Sequence, residues 1–221
     1  MKIKLQPGQQ IWFTSDTHFD HKNICRATTS WKDSDDLTRD FSSLDQMNDE
    51  LVHWINTRVG QDDILFHLGD WSFNGFENIR KFRERIVCKN VHLVLGNHDH
   101  HIERNKDNIQ SIFSSVNEYL SLEVKWRPNQ SKLVADSYAK FVLFHYPIAS
   151  WNGMNDGVIH LHGHVHLSPQ HRLAAGKAMD VGVDGNAMEP ISMEDILKIM
   201  HKQPIEKLHL PVDHHVKRRV S

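Results

Sequence analysis

Short apolar runs that end in polar residues recur along this chain, and they constrain its fold more than any other feature. Residues 10–15 are rich in aromatic and β-branched side chains and lead into Asp16, and residues 63–68 lead into Gly69 and Asp70. Runs of this length and composition are typical of buried strands. The pattern predicts an α/β fold in which polar side chains collect at strand carboxyl ends, where ligands bind in open sheets. Similar runs lie at residues 91–95, 119–126, 141–144, 158–161 and 179–183.

Helical patterns separate several of the predicted strands. Apolar side chains recur at the spacing of one helix face over residues 44–55, and Gly60 follows as a stop signal. A second, charged helix is predicted over residues 77–85. Ser192 stands three residues before Asp195 and ahead of an apolar stretch, which is the pattern of a capping box that opens a terminal helix.

Length and composition favour a single domain over residues 1–221, with the tail from about residue 204 lying peripherally. The hydrophobic content of 39% is enough for a genuine core. Lys and Arg number 26 and Asp and Glu number 28, so the formal net charge of −2 gives no global basic field for nucleic acid or an anionic membrane. A local nucleic-acid contact stays open. Because the chain has neither an apolar run of about 20 residues nor a signal-peptide pattern, we expect a soluble, cytoplasmic protein with no membrane partner.

Histidine is abundant in this chain and cysteine is scarce. There are 18 histidines and two cysteines, Cys25 and Cys88. Two thiols are too few for a disulfide framework or a cysteine-rich zinc site, which favours a reducing compartment. Any metal site must therefore use nitrogen and oxygen ligands, and these suit Mn, Fe, Zn or Ni.

Polar motifs follow five of the predicted strands, and all contain residue types that bind metal ions. Each motif alone is weak, because a single Gly-Asp is usually a turn and a single strand histidine usually packs in the core. Together they indicate a metal site, since a core has no use for so many unpaired polar groups in one region. The motifs are Asp16-x-His18, Gly69-Asp70, Gly96-Asn97-His98-Asp99, His145 and Gly163-His164-x-His166.

This set, in this order, resembles the calcineurin-like metallophosphoesterases, whose pattern runs D-x-H, G-D, G-N-H-[DE], H and G-H-x-H. The resemblance extends from Asp16 to His166. Residues 13–19 and 181–184 look in addition like the compact bacterial and phage members. The resemblance implies a four-layer α-β-β-α sandwich with two mixed β-sheets.

The resemblance also implies two divalent metal ions, with Mn²⁺ favoured over Fe, Zn or Ni. His98 would be the general acid that donates a proton to the leaving group, and Asp70 would belong to the catalytic set as the bridge between the metals. The implied ligands are Asp16, His18 and His166 for one ion and Asn97, His145 and His164 for the other, with Asp70 shared.

The function implied is a dinuclear metal-dependent phosphoesterase that uses metal-bound hydroxide. Phosphodiesters, including those of nucleotides or nucleic-acid ends, are favoured over phosphomonoesters because the chain is compact and has no large cap domain. An inactive metal-binding scaffold or protein-interaction module of the same fold is a competing hypothesis. A different reaction on the same metals is also open, namely hydrolysis of dinucleoside polyphosphates or of 2′,3′-cyclic nucleotides. The oligomeric state is not predicted.

Substrate contacts are assigned to residues close to the motifs. Arg26 is able to fork onto a phosphate oxygen, and His21 and Asn97 are further candidates. Trp71, Phe73 and Trp151 flank the motifs, where they either stack on a base or pack at the rim. His67, His160 and His162 lie inside predicted strands and are interpreted as packing groups or as partners of ligands.

One position departs from the family pattern. Many members carry G-D-x-x-D, whose second Asp orients the proton-donating histidine, but this chain has Phe73 there. Either another group orients His98, or His98 has a weaker role than the resemblance implies. We expect Asp99 to hold its loop through backbone hydrogen bonds rather than to take that role.

Spacing and glycine placement suggest how the ligands are aimed. Residues i and i+2 of an extended segment point to one side, which would bring Asp16 and His18 together. A glycine precedes each of Asp70, Asn97 and His164 and is expected to permit the tight turn that aims the ligand.

Overall fold

A computed structural model gives the fold for residues 1–32, 37–105, 108–127, 138–167, 173 and 176–206. Most of the predicted tail, residues 207–221, lies outside the described residues. In chain order the strands and α-helices are β1 (Lys2–Lys4), β2 (Ile11–Thr14), α1 (Leu44–Arg58), β3 (Ile64–His67), α2 (Phe76–Arg85), β4 (Asn90–Val94), α3 (His100–Glu103), β5 (Ser115–Asn117), β6 (Tyr119–Lys125), β7 (Tyr138–Phe144), β8 (Ile159–His162), β9 (Ala178–Asp180), β10 (Ile191–Ser192) and α4 (Met193–His201).

The described strands form two five-stranded mixed sheets. The first sheet has the order β1-β6-β7-β8-β9, in which only the β6–β7 pair is antiparallel. The second sheet has the order β10-β2-β3-β4-β5, in which only the β10–β2 pair is antiparallel. In both sheets the strands that carry the polar motifs run parallel to their motif-bearing neighbours, so their carboxyl ends lie at one edge.

The largest core cluster of the described residues lies between the two sheets. Phe13 and Phe66 of the second sheet stack with ring centroids 5.5 Å apart, and Phe13 is 5.4 Å from Phe141 of the first sheet. Residues of α4 join the same cluster, while α1 and α2 pack on the other face of the second sheet, on residues such as Leu65 and Leu93. Stacked sheets with flanking helices confirm the predicted fold class.

Helix boundaries follow the expected signals. Ser43 caps α1 by accepting a hydrogen bond from the backbone N–H of Gln46, and α1 ends at Arg58, just before Gly60. Ser192 caps α4 by accepting from the backbone N–H of Asp195, as the capping-box pattern predicts. Within the described residues, no helix combines the length and apolar content that a bilayer crossing needs.

Several strand boundaries differ from the prediction. Strand β7 begins at Tyr138, ahead of the predicted residue 141, because it pairs along its whole length with β6. Strand β9 ends at Asp180 instead of residue 183, because residues 183–185 turn into a 3₁₀ helix. Strands β1, β5 and β10 are absent from the prediction, since two or three residues are too short to show alternation.

Candidate metal centre

The loops after β2 and β8 bring the first group of predicted ligands together. One ligand atom each of Asp16, His18 and His166 lies within 4.8 Å of the others. His18 Nε2 is 3.1 Å from His166 Nε2, and His166 Nε2 is 3.8 Å from Asp16 Oδ1. Two ligands that bind one ion at about 2.1 Å are at most about 4.2 Å apart. The three atoms are therefore close to the separation that one shared ion requires.

The loops after β4, β7 and β8 build a second group. Asn97 Oδ1 lies 3.0 Å from His145 Nε2 and 2.9 Å from His164 Nδ1. Ligand atoms of Asp16, Asp70 and His145 also lie within 4.8 Å of one another. The structure thus brings all seven predicted ligands to one edge of the two sheets.

Asp70 lies between the two groups. Its Oδ2 atom is 3.6 Å from His18 Nε2 and 3.5 Å from His145 Nε2. The Asp70 side chain is buried, so water competes little with these contacts. A carboxylate in this position is within reach of an ion in either group.

The backbone at five of the seven predicted ligands is left-handed, which corrects the expectation of an extended segment at Asp16 and His18. Backbone hydrogen bonds from Asp16 N to Gly69 O and from His18 N to Asp70 O, both 3.0 Å, fix the first loop against the second. Left-handed turns, and not the alternation of a strand, therefore aim these side chains. Values of φ from +48° to +73° occur at Asp16, His18, Asp70, His164 and His166.

The three glycines that precede ligands act in two different ways. Gly69 has φ +100°, so it provides the expected turn. Gly96 and Gly163 have no positive φ; they are needed because neighbouring groups approach closely. A Cβ atom would lie 2.3 Å from Asp70 Oδ1 at Gly96, and 2.2 Å from Asp16 Oδ2 at Gly163.

Hydrogen bonds on the outer nitrogens orient two of the imidazoles. His145 Nδ1 lies 2.7 Å from the backbone oxygen of Leu68, and because a carbonyl only accepts, Nδ1 carries the proton. His166 Nδ1 similarly lies 2.7 Å from Asp184 Oδ2. In both rings Nε2 therefore faces the cluster, and metal-binding histidines are commonly held in this way.

A buried arginine supports the first group, and its role is not predicted from the sequence. Arg39 donates from Nε and Nη2 to the two carboxylate oxygens of Asp184, at 2.7 and 2.9 Å. It also donates to the backbone oxygens of Thr17 and Asp16, at 2.8 and 2.6 Å. The guanidinium thus joins the Asp16 loop to the carboxylate that holds His166. No local pattern indicates this pair, because Arg39 and Asp184 are 145 residues apart.

The electrostatics of the cluster favour a cation. Burial, and then the charge of Asp70, raise the pKa of Asp16 to about 8, although the charge of His166 opposes this. Burial alone would lower the pKa of His166, but the hydrogen bond to Asp184 and its charge outweigh burial and raise it. Burial would raise the pKa of Asp184, yet the charge and hydrogen bonds of Arg39 hold it far below the usual range. The buried carboxylates of Asp16 and Asp70, together with the converging imidazole nitrogens, fit divalent metal ions.

Asp99 holds the loops after β3 and β4 together, as expected. Its Oδ2 accepts from the backbone N–H groups of Asp70 and Gly96, both at 2.8 Å, and its Oδ1 accepts from that of Trp71 at 2.9 Å. Burial raises the pKa of Asp99 to about 7, against the effect of these hydrogen bonds. Asp99 is therefore occupied with backbone groups.

The strand histidines are buried packing groups, as interpreted from the sequence. The Thr17 hydroxyl donates to the backbone oxygen of Trp71 at 2.8 Å, so it accepts from His67 Nε2 at 2.9 Å. Burial lowers the pKa of His67 to about 3 and that of His160 to about 4. His162 is also buried.

The predicted substrate contacts lie in different surroundings. Arg26 pairs with Asp40 at 3.2 Å and donates to the Thr38 hydroxyl at 3.3 Å, so its contact with substrate stays a prediction. His21 lies beside the cluster, stacked on Phe73 with ring centroids 3.7 Å apart. Burial and the neighbouring positive groups lower the pKa of His21 to about 4.

Two aromatic side chains do not fit the stacking interpretation. Trp71 and Trp151 are only 0% and 8% exposed. Their indole N–H groups donate to the backbone oxygens of Ile79 and Val158. Both rings therefore pack in the core and are not available to a base, whereas Phe73 is partly exposed beside the centre.

Two packed mixed sheets, with carboxylates and imidazoles gathered at strand carboxyl ends, define a fold of the metallo-dependent phosphatase class. Residues 10–209 match the calcineurin-like phosphoesterase family. The chain therefore belongs to this family, whose members are generally phosphoesterase hydrolases.

The chain is similar to proteins from an archaeon and a phage. An uncharacterized protein of Methanocaldococcus jannaschii is 28% identical over 205 residues, which cover 88% of this chain and 93% of that protein. The gene 66 protein of Mycobacterium phage L5 is 26% identical, with 87% and 96% covered. The crystal structure of an Aquifex aeolicus protein of unknown function has a TM-score of 0.58 at 20% identity, covers 87% of this chain and 100% of its own, and shares the fold.

Proposed function

We propose that this chain is a phosphoesterase that works with two divalent metal ions and hydrolyses phosphodiesters, including those of nucleotides and nucleic-acid ends. The position of Asp70 supports the proposal most directly. Its Oδ2 atom lies 3.6 Å from an imidazole nitrogen of one ligand group and 3.5 Å from one of the second group. A shared carboxylate of this kind is typical of two-metal sites that act on phosphate esters.

The chain supplies nitrogen and oxygen ligands for both ions. When bound, such ions neutralise phosphate oxygens and make a nucleophile available from water at neutral pH. Mn²⁺ is the first ion to test, followed by Fe²⁺, Zn²⁺ and Ni²⁺, because carboxylate and imidazole ligands accept several first-row metals. Asp16, His18 and His166 would hold one ion, Asn97, His145 and His164 the other, and Asp70 both.

His98 would donate the proton that the leaving-group oxygen needs. Its ring centroid is 5.5 Å from that of His18, so it stands beside the predicted ligands. Its backbone N–H donates to Asp70 Oδ1 at 2.9 Å, which ties it to the shared carboxylate. Imidazole is the side chain that most often serves as a general acid.

The first experiment measures metal and activity together. The purified protein is stripped with a chelator and reloaded with each of the four metals. Metal content, melting temperature and hydrolysis of bis-p-nitrophenyl phosphate are then recorded. We expect about two ions per chain, a lower melting temperature after chelation, and activity that returns with metal. No activity with any metal and an unchanged melting temperature would contradict the proposal.

Variants test the division of ligands. His166→Ala and His145→Ala should each lose one ion, whereas Asp70→Ala should weaken both, because Asp70 lies between the groups. Asp62→Asn is the control, since this carboxylate lies on the surface with its side chain 89% exposed. Equal metal loss in all three ligand variants would argue against two separate sites.

His98→Gln separates catalysis from metal binding. We expect turnover to fall by about 10²- to 10⁴-fold, the usual contribution of a general acid, with metal content unchanged. Unchanged turnover would remove His98 from the mechanism. Full metal content without activity in the wild type would instead favour the scaffold hypothesis, and substrate profiling would separate diesters from dinucleoside polyphosphates and cyclic nucleotides.

A further inference from the structure

The His98 side chain is exposed and makes no hydrogen bond within the described part of the chain. An exposed imidazole without a hydrogen-bonded partner samples several rotamers, unless packing restricts it. The restriction here comes from aromatic neighbours. The Phe73 ring lies 4.9 Å from the His98 ring between centroids, and the His18 ring lies 5.5 Å away.

Phe73 is itself held by further contacts. The His21 ring stacks on it almost in parallel, with centroids 3.7 Å apart and planes 9° apart. The Phe73 backbone N–H donates to the backbone oxygen of Phe19 at 2.8 Å. The loop after β3 is therefore joined to the loop after β2 at the position of this ring.

Asp20 joins the same two loops through hydrogen bonds. Its Oδ2 accepts from the side-chain amides of Asn74 and Asn78, at 2.7 and 2.6 Å. Asn48 on α1 completes the set, because its amide oxygen accepts from the Asp20 backbone N–H at 2.8 Å. Hydrogen bonds to a charged carboxylate are strong, so these contacts restrain the segment that carries Phe73.

We propose that Phe73 is a positioning residue that holds the His98 imidazole beside the metal centre, and that His21 and Asp20 hold Phe73 in turn. Aromatic packing then performs the orienting task that a hydrogen-bonded carboxylate would perform elsewhere. The part of this inference that concerns proton donation rests on the proposed function. The position of the His98 ring does not, so the two are tested separately.

The position is tested by NMR of the imidazole protons in ¹³C-histidine-labelled protein. The signals of His98 are assigned by their loss in His98→Gln. In Phe73→Leu we expect the His98 signals to shift and their cross-peaks with His18 to weaken, because the neighbouring ring is lost. Phe73→Tyr keeps the ring and should keep the signals near their wild-type positions.

Phe76→Leu is the matched control for this experiment. It makes the same chemical change three residues further along, at a ring that is 42% exposed and contacts His101, not His98. Unchanged His98 signals and cross-peaks in folded Phe73→Leu would overturn the positioning role, whether or not the protein hydrolyses phosphate esters. The same shift in Phe76→Leu would overturn it as well.

The catalytic consequence is tested with diesters that have good and poor leaving groups. Misplacing a proton donor matters most when the leaving oxygen is strongly basic. Phe73→Leu should therefore lose about 10-fold or more in kcat on a phenyl or alkyl diester, and much less on a p-nitrophenyl diester, at unchanged metal content. The same change made in His98→Gln should cost nothing further. Equal losses on both substrates would overturn the catalytic part of the inference.

Discussion

Replacing Asp184 by Asn tests whether a carboxylate outside the ligand set controls metal affinity. Asp184 accepts from His166 Nδ1 at 2.7 Å and from Arg39 at 2.7 and 2.9 Å. The substitution keeps the shape of the side chain and one acceptor oxygen. It removes the negative charge that balances the buried guanidinium and that would make the His166 ring a better metal ligand.

The expected magnitudes follow from these contacts. Loss of a carboxylate behind a metal-binding histidine typically costs 10- to 100-fold in affinity, or about 1.4–2.7 kcal/mol. The fold loses stability as well, because the Arg39 side chain is only 5% exposed and would keep its charge without a counter-charge. Breaking a buried ion pair lowers the free energy of unfolding by about 3–5 kcal/mol. Because asparagine keeps one acceptor oxygen, we expect a loss of about 3 kcal/mol, at the lower end of this range.

The assay measures both quantities on the same preparation. Metal affinity is obtained by competition with a chelator under conditions in which circular dichroism shows the variant to be folded, and stability is obtained by urea unfolding without metal. Glu189→Gln is the control, since Glu189 pairs with Arg58 near the surface and is not in contact with a predicted ligand. This control should lose less than about 1 kcal/mol and keep its metal.

A folded Asp184→Asn protein with wild-type metal affinity would refute the reasoning. In that case the hydrogen bond to His166 would be a packing feature with no influence on the ligand. A loss of stability alone would assign Asp184 to the fold, while a loss of affinity beyond that of Glu189→Gln would assign it to the metal centre.

Two further predictions concern residues outside the ligand set. Gly163→Val should bind less metal although no ligand is removed, because a Cβ there would lie 2.0 Å from Ser15 Oγ and 2.2 Å from Asp16 Oδ2. Metal content is measured by elemental analysis, and a wild-type value would show that the loop adapts to the larger side chain. His160 is buried, and burial lowers its pKa to about 4. Below about pH 6.5 the unfolded chain therefore binds a proton at His160, whereas the folded chain does not. The contribution of neutral His160 to stability is full above about pH 6.5 and decreases as the pH falls below it. Each pH unit in this window lowers the free energy of unfolding by about 1.4 kcal/mol. Between about pH 6.5 and 5 the free energy of unfolding of His160→Gln should therefore fall by about 2 kcal/mol less than that of the wild type. If urea unfolding gives parallel plots of this free energy against pH for the two proteins, His160 is not the source of the pH dependence.

The strands, and the convergence of the motif residues at one edge, could be predicted because their signals are local. Each motif directly follows an apolar run, and parallel strands bring their carboxyl ends to one edge without further information. Asp16, Asp70 and His145 therefore meet as expected, although they come from both sheets. The helix caps at Ser43 and Ser192 are local features as well.

The supporting contacts could not be predicted, because they join segments that share no pattern. Arg39 lies in a polar stretch with no periodicity, and its partner Asp184 lies in the 3₁₀ helix that follows β9. The left-handed backbone at Asp16 and His18 depends on hydrogen bonds to the loop after β3, so spacing alone predicts the wrong geometry. The stack of His21 on Phe73 requires the same two loops to meet.

The left-handed backbone at the candidate metal centre places metal binding in conflict with the stability of the metal-free fold. Holding a non-glycine residue in that region costs about 1–3 kcal/mol at each position, and histidine has less local compensation there than aspartate or asparagine. A library selected for heat resistance in the absence of metal would therefore enrich glycine at His18, His164 and His166, where φ is +48°, +73° and +48°. Such proteins would melt later than the metal-free wild type and bind less metal. Any attempt to engineer this chain for thermal stability has to select for metal binding in the same experiment.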